Sequence, residues 1–413
     1  MSCRCYIVPP HLFRAIAQSP LNPEHVRKAA EASLAAHDHI SAARQERTWK
    51  ILQEKKSNRN ARVQASPFVP ESLLQRLSAS DAVDEASRTR AKRDLRHLQG
   101  LMGRAKQVGA DAKGTQEAAS RTVAHNNVYN ASNTWDDEKL PGRLERAQGE
   151  PPAKDLDVNK AYDNVGHVLR FYEQHFGWKS IDNQNAPVTC SVHFGEHYGN
   201  AFWSPETMQM VFGDGNMLLC NFTGCVDVIG HELAHAVTDN TSPLDYSDQA
   251  GALNEHISDV FGIMAKQQVE NETSEEADWL IGEDCLLPDV KGVAFRSMKE
   301  PGKAYDDERF GKDPQVDSFA QWEAIAEDRG GVHIFSGIPN KAFYLSAVAF
   351  GGYSWEIAGK IWWRAMNCGK VPPRCTFQQF ADITVECAEE LFDVEAAKLV
   401  RQAWNTVGVI RGI

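Results

Sequence analysis

The sequence predicts an α+β protein built from more than one domain. Its 413 residues are too many for one ordinary hydrophobic core. Short β-leaning runs separated by turn residues fill much of 119–230, whereas the pattern after residue 225 is helical. Hydrophobic residues make up 42% and charged residues 24% of the chain, as in globular proteins. We therefore expect a β-rich α/β region followed by an all-helical region.

The N-terminal segment, residues 1–115, is predicted to be helical and differs in charge from the rest. Residues 1–113 contain 20 Lys or Arg and 11 Asp or Glu, a balance of +9, which leaves 24 and 45 and a balance of −21 for residues 114–413. Opposite charges predict a basic segment that lies on an acidic body. A basic arm that binds nucleic acid is the alternative, although acidic residues interrupt the charges and no aromatic stacking pattern accompanies them.

Two stretches of this segment resemble each other at an offset of 61 residues. Residues 8–16 (VPPHLFRAI) and 69–77 (VPESLLQRL) each predict a helix opened by proline with an apolar i, i+4 face. The similarity suggests an internal duplication. Gly103, Gly109 and Gly114 then loosen the chain before the β-rich region.

Three β-leaning runs and one helix are predicted between residues 119 and 230. The runs are RTVAHNNVYN, APVTCSVHFG and MQMVFG, and the helix covers roughly 158–177. From residue 225 the sequence predicts helices to the end of the chain.

The sequence contains no membrane-spanning stretch, since no apolar run approaches roughly 18 residues. Its first residues, MSCRCYIVPPHLFRAI, lack the apolar core of a signal peptide. We expect a cytoplasmic protein, or one secreted without a classical signal peptide, that has no membrane partner.

Nine cysteines form an odd set, which predicts free thiols in a protein without a signal peptide. Cys220 and Cys225 are five residues apart, and Cys368 and Cys375 are seven apart. Neither interval fits the paired spacing of a zinc ribbon. Buried small hydrophobic residues are the prediction for these cysteines.

The sequence His231-Glu232-Leu233-Ala234-His235 fits the H-E-x-x-H pattern of zinc peptidases. On a helix the two histidines share one face, so both imidazoles can point at one metal ion. Glu232 lies beside them without being a ligand, in reach of the water that attacks the substrate. The pattern predicts one catalytic zinc.

A second helix, which begins near Gly251, supplies the remaining ligand. Glu255 follows His235 by 20 residues and offers a carboxylate oxygen. Two histidines and one glutamate leave a fourth position open, as catalytic zinc sites do. Asp259 and Asn254 are placed to support the ligands, Asp259 by accepting the second ring N–H of a histidine.

At these residues the chain resembles the thermolysin-like family of zinc metallopeptidases, over residues 119–413. The resemblance also rests on Asn200–Trp203, on residues 210–215 (MVFGDG) and on residues 331–345 (GVHIFSGIPNKAFYL). It implies a two-lobed catalytic unit with zinc in the cleft between a β-rich lobe and a helical lobe. The implied domains are 1–115 (propeptide), 116–240 (α/β lobe with the H-E-x-x-H helix) and 241–413 (helical lobe).

The resemblance assigns further residues to the site. It implies that Asn200, Ala201 and Trp203 belong to an edge strand that binds the peptide backbone. His333, oriented by Asp328, and Tyr246 are implied donors to the oxyanion, and Arg296 to a substrate carbonyl. Residues implied to line the apolar specificity pocket are Val228, Ile281 and Phe295.

These residues imply a zinc-dependent metalloendopeptidase. Zinc makes water nucleophilic at neutral pH, and Glu232 takes the proton of that water and delivers it to the leaving amine. The apolar pocket implies cleavage before bulky apolar residues. Peptides or proteins are the expected substrates.

One departure from the family concerns calcium. Asp227, Asp278 and Glu283 match three of five carboxylates of a double calcium site, but Lys266 and Leu280 replace the other two. An ammonium group repels Ca²⁺ and can neutralise the remaining acids. We expect calcium to be absent or to occupy at most one weak site.

Residues 8–12 and 93–102 (RDLRHLQGLM) resemble the propeptide of protealysin-like precursors. This subgroup has a Pro-Pro-x-Leu-type motif, and here the segment is about twice the usual length, which a duplication explains. The resemblance implies an inhibitory propeptide, which we expect near its junction to cross the edge strand. A catalytically silent zinc-binding interaction protein is the rival hypothesis.

Overall fold

The computed structural model describes residues 7–35, 125–136, 139–204, 207–215, 219–309, 311–326 and 328–410, which belong to one compact unit. Several predictions fall outside these residues. They are the helix at 69–77, the similarity of residues 93–102 to a propeptide, and the glycine-containing junction.

A five-stranded mixed sheet forms the first part of the body. Its strands are β1 (Asn126–Asn130), β2 (Arg143–Arg146), β3 (Val188–Val192), β4 (Ala201–Ser204) and β5 (Gln209–Phe212). Their order is β2-β1-β3-β5-β4, with β1, β3 and β5 parallel and β2 and β4 antiparallel to their neighbours. Within this order β4 lies at one end of the sheet, next to β5.

Helices form most of the described residues 7–35 and most of the second half. They are α1 (Pro10–Gln18), α2 (24–35), α3 (Leu156–Phe176), α4 (Val226–Asn240), α5 (Asp248–Glu270), α6 (Asp328–Phe335), α7 (Gly337–Phe350), α8 (Ala358–Asn367), α9 (Phe377–Leu391) and α10 (Val394–Thr406). As predicted, α1 begins at proline and buries Leu12 and Ile16. Among the described residues, no helix has the length and apolar character needed to cross a bilayer.

The two helices that carry the predicted zinc ligands, α4 and α5, cross at a short distance. A Cβ atom on Gly230 of α4 would lie 2.9 Å from the Cα of Gly262 on α5. A Cβ on Gly262 would lie 2.6 Å from the carbonyl oxygen of Asp227. Any larger residue at either position would push the helices apart, because the contacts are with backbone atoms.

The α+β prediction is confirmed, but the expectation of continuous helix after residue 225 is wrong between α5 and α6. The described residues between 271 and 326 form loops, two 3₁₀ turns (Glu283–Cys285 and Phe319–Gln321) and four two-residue strands: β6 (Leu280–Ile281), β7 (Arg296–Ser297), β8 (Asp306–Asp307) and β9 (Gly311–Lys312). Proline and glycine recur here, as at Pro301-Gly302, and interrupt helical hydrogen bonding. This region places Arg296 and Phe295 near α4 and α5.

Candidate active site

Three buried side chains on α4 and α5 converge as potential metal ligands. His231 and His235 are one helical turn apart, and their Nε2 atoms lie 3.1 Å from each other. The carboxylate of Glu255 lies 3.5 Å from Nε2 of His231 and 3.8 Å from Nε2 of His235. One ligand atom from each residue lies within 4.8 Å of the others.

The second ring nitrogens show why these imidazoles suit a cation. Nδ1 of His231 lies 2.8 Å from Asp259 Oδ1, and Nδ1 of His235 lies 2.8 Å from Asn254 Oδ1. Both oxygens are acceptors, so each Nδ1 carries the proton and each Nε2 presents a lone pair. Two facing lone pairs beside a buried carboxylate fit a zinc ion with three protein ligands.

Sequence reasoning missed two partners of Asp259. Arg296 donates two hydrogen bonds to its carboxylate, at 2.9 and 2.7 Å, and Asn340 Nδ2 donates a third at 2.9 Å. Burial alone would raise the pKa of Asp259, but Arg296 and His231 hold that pKa far below its ordinary value. Asp259 therefore stays ionised behind His231.

Asn340 is itself held by a buried histidine. His256 Nδ1 lies 2.8 Å from Asn340 Oδ1, and His256 Nε2 accepts a 2.8 Å hydrogen bond from Trp362. Burial lowers the pKa of His256 to about 4, so the ring is neutral and Nδ1 donates. His256, Asn340 and Trp362 lie on α5, α7 and α8, respectively. The helical periodicity of these segments does not indicate that the three side chains are in contact.

Glu232 is fully buried next to the ligands. Its Oε2 accepts a 2.7 Å hydrogen bond from the backbone N–H of Trp203 on β4, while Oε1 has no hydrogen-bond partner in the described part of the chain. Burial, reinforced by the charge of Glu255, raises the pKa of Glu232 well above its ordinary value. The carboxylate is thus oriented by the edge strand and primed to accept a proton.

His333 and Tyr246 reach the same centre from two other segments. His333 Nδ1 and backbone N–H both bond to Asp328, at 2.8 and 2.9 Å, and His333 Nε2 lies 3.4 Å from Glu255. Burial alone would lower the pKa of His333, but Asp328 and Glu255 raise it to about 9. The Tyr246 hydroxyl donates to Glu255. The His333 imidazole and the Tyr246 hydroxyl therefore both face the Glu255 carboxylate.

Residues 7 and 8 lie against the edge strand. The Val8 N–H donates to Asn200 Oδ1 at 3.0 Å, and Asn200 Nδ2 donates to the Val8 carbonyl at 3.1 Å. Arg296 Nη1 donates a 2.8 Å hydrogen bond to the Ile7 carbonyl. The predicted substrate-binding side chains Asn200 and Arg296 thus hold the backbone of the chain's own N-terminal segment. Ala201 makes no described contact with that segment.

The three predicted pocket residues, Val228, Ile281 and Phe295, are all buried in the main hydrophobic core. Val228 lies on α4, Ile281 pairs with Arg296 across β6 and β7, and the Phe295 ring stacks on Phe222. The neighbouring Gly282 has a φ of +68°, and a Cβ there would lie 2.3 Å from the Phe295 ring. Phe295 is thereby packed against the backbone.

The predicted calcium residues surround an internal cation. Lys266 Nζ lies 3.0 Å from Asp278 and 3.0 Å from Glu283, and it donates to the Leu280 carbonyl at 3.5 Å. Asp227 Oδ2 instead accepts a 2.6 Å hydrogen bond from the Gly282 N–H. Burial alone would lower the pKa of Lys266, but Asp227, Glu283 and Asp278 raise it above its ordinary value.

Comparisons with known proteins agree with this geometry. Residues 97–239 match the family model described as "Thermolysin metallopeptidase, catalytic domain", and residues 242–409 match "Thermolysin metallopeptidase, alpha-helical domain". An extracellular metalloprotease of Pectobacterium carotovorum is 41% identical over 83% of this chain and 95% of its own. The chain belongs to the thermolysin-like metallopeptidases.

Further relatives define the subgroup. Protease PrtS of Photorhabdus is 40% identical over 83% of this chain and 91% of its own length. The solved precursor of protealysin from Serratia proteamaculans is 41% identical, has a TM-score of 0.68, and is matched over 84% of this chain and 100% of its own. Residues 67–108 match the model "Protealysin propeptide". The chain is a zinc metalloendopeptidase precursor with a protealysin-type propeptide and a thermolysin-like fold.

Proposed function

We propose that this peptidase hydrolyses peptide bonds before bulky apolar residues and is inhibited by its own N-terminal segment. The observation that carries the proposal is the hydrogen bonding of Ile7 and Val8 by Arg296 and Asn200, which treat the segment as they would a substrate backbone. The preference for bulky apolar residues rests on Val228, Ile281 and Phe295, which are buried and which the family resemblance implies for the specificity pocket.

Glu232 is the proposed general base. Trp203 engages its Oε2, which leaves Oε1 to take a proton from the attacking water and to deliver it to the leaving amine. When bound by His231, His235 and Glu255, zinc supplies a Lewis acid that polarises the scissile carbonyl and acidifies water.

The remaining polar groups bind and stabilise the substrate. Protonated His333, held by Asp328, and the Tyr246 hydroxyl donate to the oxygen on which negative charge develops. Arg296 donates to the carbonyl of the residue after the scissile bond, and Asn200 pairs with the next peptide unit. Ala201 and Trp203 belong to the edge strand β4, along which the substrate backbone lies.

We further propose the division into 1–115, 116–240 and 241–413, with peptide substrates and no nucleic-acid or membrane partner. Lys266 takes the place of calcium, so calcium is absent or at most weakly bound at Asp227, Asp278 and Glu283. The name of the Pectobacterium relative supports secretion over a cytoplasmic location.

The test compares full-length wild type with Glu232→Gln, which keeps the ligands but cannot shuttle a proton. Zinc content should be equal, while peptide hydrolysis should fall by about 10²–10⁴-fold. During incubation, wild type should lose about 115 N-terminal residues and gain activity, and the variant should stay at full length. Normal hydrolysis by Glu232→Gln would contradict the mechanism.

A second arm isolates inhibition from catalysis. Val8→Pro removes the N–H that donates to Asn200 and should raise the initial activity of the uncleaved precursor. Gln18→Ala, an exposed position at the end of α1, is the matched control and should leave it unchanged. If uncleaved wild type hydrolyses peptides as fast as residues 119–413 alone, the segment is not an inhibitor.

A further inference from the structure

Three cysteines that are far apart in sequence meet at the start of α4. Cys225 is the residue before α4, Cys220 precedes it by five positions, and Cys285 ends a short 3₁₀ turn at Glu283–Cys285. The three Sγ atoms lie within 4.8 Å of one another, and those of Cys225 and Cys285 are 2.8 Å apart. Cys225 and Cys285 are buried, whereas Cys220 is half-buried and opens the cluster to solvent.

Backbone hydrogen bonds hold the three residues together. The Cys220 N–H donates to the Cys285 carbonyl at 3.0 Å, and Leu219 and Leu286 form an antiparallel bridge alongside. The Cys225 N–H donates to the Phe222 carbonyl at 3.2 Å. The thiols are therefore brought together by the fold of two backbone segments.

The surroundings favour negative charge on sulfur. Cys225 stands at the N-terminus of α4, where unpaired N–H groups and the helix dipole stabilise anions. The Cys220 Sγ lies 2.8 Å from the carbonyl oxygen of Asp284, to which the thiol donates a hydrogen bond.

We propose that Cys220, Cys225 and Cys285 bind one thiophilic divalent ion of the zinc type as three thiolates. Cys220, Cys225 and Cys285 each release the thiol proton to solvent as the ion enters, and three thiolates leave a fourth position open toward the exposed side of Cys220. The site is separate from the catalytic one, because His231 follows Cys225 by six positions, a rise of about 9 Å along α4.

The ion would connect the start of the H-E-x-x-H helix to the segment that carries the specificity pocket. Cys285 follows Ile281 by four residues, and the intervening Gly282 donates its N–H to Asp227 on α4. Filling the site should stabilise this junction, since an ion that binds only the folded chain adds its binding free energy to folding.

Cadmium alone is the probe, because thiolate ligands give it an ultraviolet charge-transfer absorption that imidazole and carboxylate ligands do not. Full-length Glu232→Gln, loaded with one zinc ion per chain, is titrated with Cd²⁺. We expect one equivalent to bind with this absorption and to raise the melting temperature. Cys285→Ala and Cys220→Ser should both lose the absorption while retaining the catalytic zinc, which also reports that each variant is folded.

Cys375→Ala is the matched control, because Cys375 is equally buried but lies outside the cluster, and it should titrate like its parent. Absence of the charge-transfer absorption in the parent, or its persistence in Cys285→Ala, overturns the proposal. So does a disulfide between Cys225 and Cys285, which would appear as seven rather than nine titratable thiols in the unfolded, unreduced chain.

Discussion

Two polar clusters on the same pair of helices solve the problem of buried charge in opposite ways. At the catalytic cluster, two imidazole lone pairs and the Glu255 carboxylate face one another, and the ligands themselves supply no cation. At the other, Lys266 on α5 provides an ammonium group that lies 3.0 Å from both Asp278 and Glu283. Buried acceptors are costly without a positive partner. The facing lone pairs of the first cluster therefore fit a metal ion, beside the His333 imidazole 3.4 Å from Glu255, whereas the second cluster carries its own cation in Lys266.

The largest expected effect comes from disturbing the support of the catalytic cluster. Asp259→Asn removes the charge that fixes the His231 tautomer and should weaken zinc binding by about 10–100-fold. Asn340→Ala removes only one hydrogen bond to Asp259 and should give a smaller loss in the same direction. Competition with a chelator measures zinc affinity, and the exposed Asp382→Asn is the control. Unchanged zinc affinity in Asp259→Asn would show that the cluster does not depend on Asp259.

A smaller effect is expected from removing the Lys266 ammonium group from between its two carboxylates. Wild type should gain little thermal stability from millimolar calcium. Lys266→Met leaves Asp278 and Glu283 unpaired, so the variant should be destabilised in chelator and recover stability when calcium is added. A saturated tight site contributes roughly 3–4 kcal/mol, which sets the upper limit of this recovery.

Lys370→Met is the matched control for this experiment, because Lys370 also bridges two carboxylates, those of Glu386 and Glu390, but is itself exposed, whereas Lys266 is buried. Exposed ion pairs contribute little, and no calcium response is expected there. A calcium-induced rise in wild-type melting temperature as large as that of Lys266→Met would contradict the substitution of ammonium for calcium.

The comparison also shows what sequence can and cannot predict. The spacing of His231 and His235 places both on one helical face, and the β-leaning runs at β1, β3 and β5 alternate with turn residues. Such signals are local. The Lys266–Glu283 pair, the Asn340–Asp259 hydrogen bond and the approach of Cys285 to Cys225 join residues 17, 81 and 60 positions apart. Loops and helix crossings create these contacts, and the hydrophobic periodicity of the sequence does not predict them.

The N-terminal segment illustrates a second limit. Its net charge suggested ionic attachment, and the glycine-rich junction was expected at the edge strand. Ile7 and Val8 lie beside Asn200, the residue before that strand, and the described contacts of residues 7–35 with the body are hydrogen bonds and apolar packing, as in Asn22 Nδ2 to the Arg309 carbonyl. The junction and its charges lie outside the described residues, so both its path along the edge strand and its ionic attachment stay predictions. The net charges of two segments can predict that the segments attract each other, but they do not predict which residues form contacts.

The smallest expected effect concerns His11 on α1, a buried group next to cations that the protein already carries. His11 Nε2 lies 3.4 Å from the Tyr305 hydroxyl. Burial lowers the pKa of His11 to about 4; Asp328 opposes this shift, and the charges of His333, Arg14 and Arg296 reinforce it. Desolvation is thus the main reason that the His11 imidazole is neutral, and the neighbouring positive charges contribute less.

The sign of the pH dependence follows from the two pKa values. In the released segment His11 titrates near its ordinary value of 6.5, whereas in the docked segment its pKa is about 4. Docking is therefore strongest above pH 6.5 and weakens as the pH falls from 6.5 toward 4, by on the order of tenfold at pH 5. Hydrogen exchange of residues 7–35 in full-length Glu232→Gln, corrected for intrinsic rates, should show this loss of protection, while α3 should show none. His11→Gln cannot titrate and should flatten the profile; an equal pH dependence in both proteins would assign the effect to other groups.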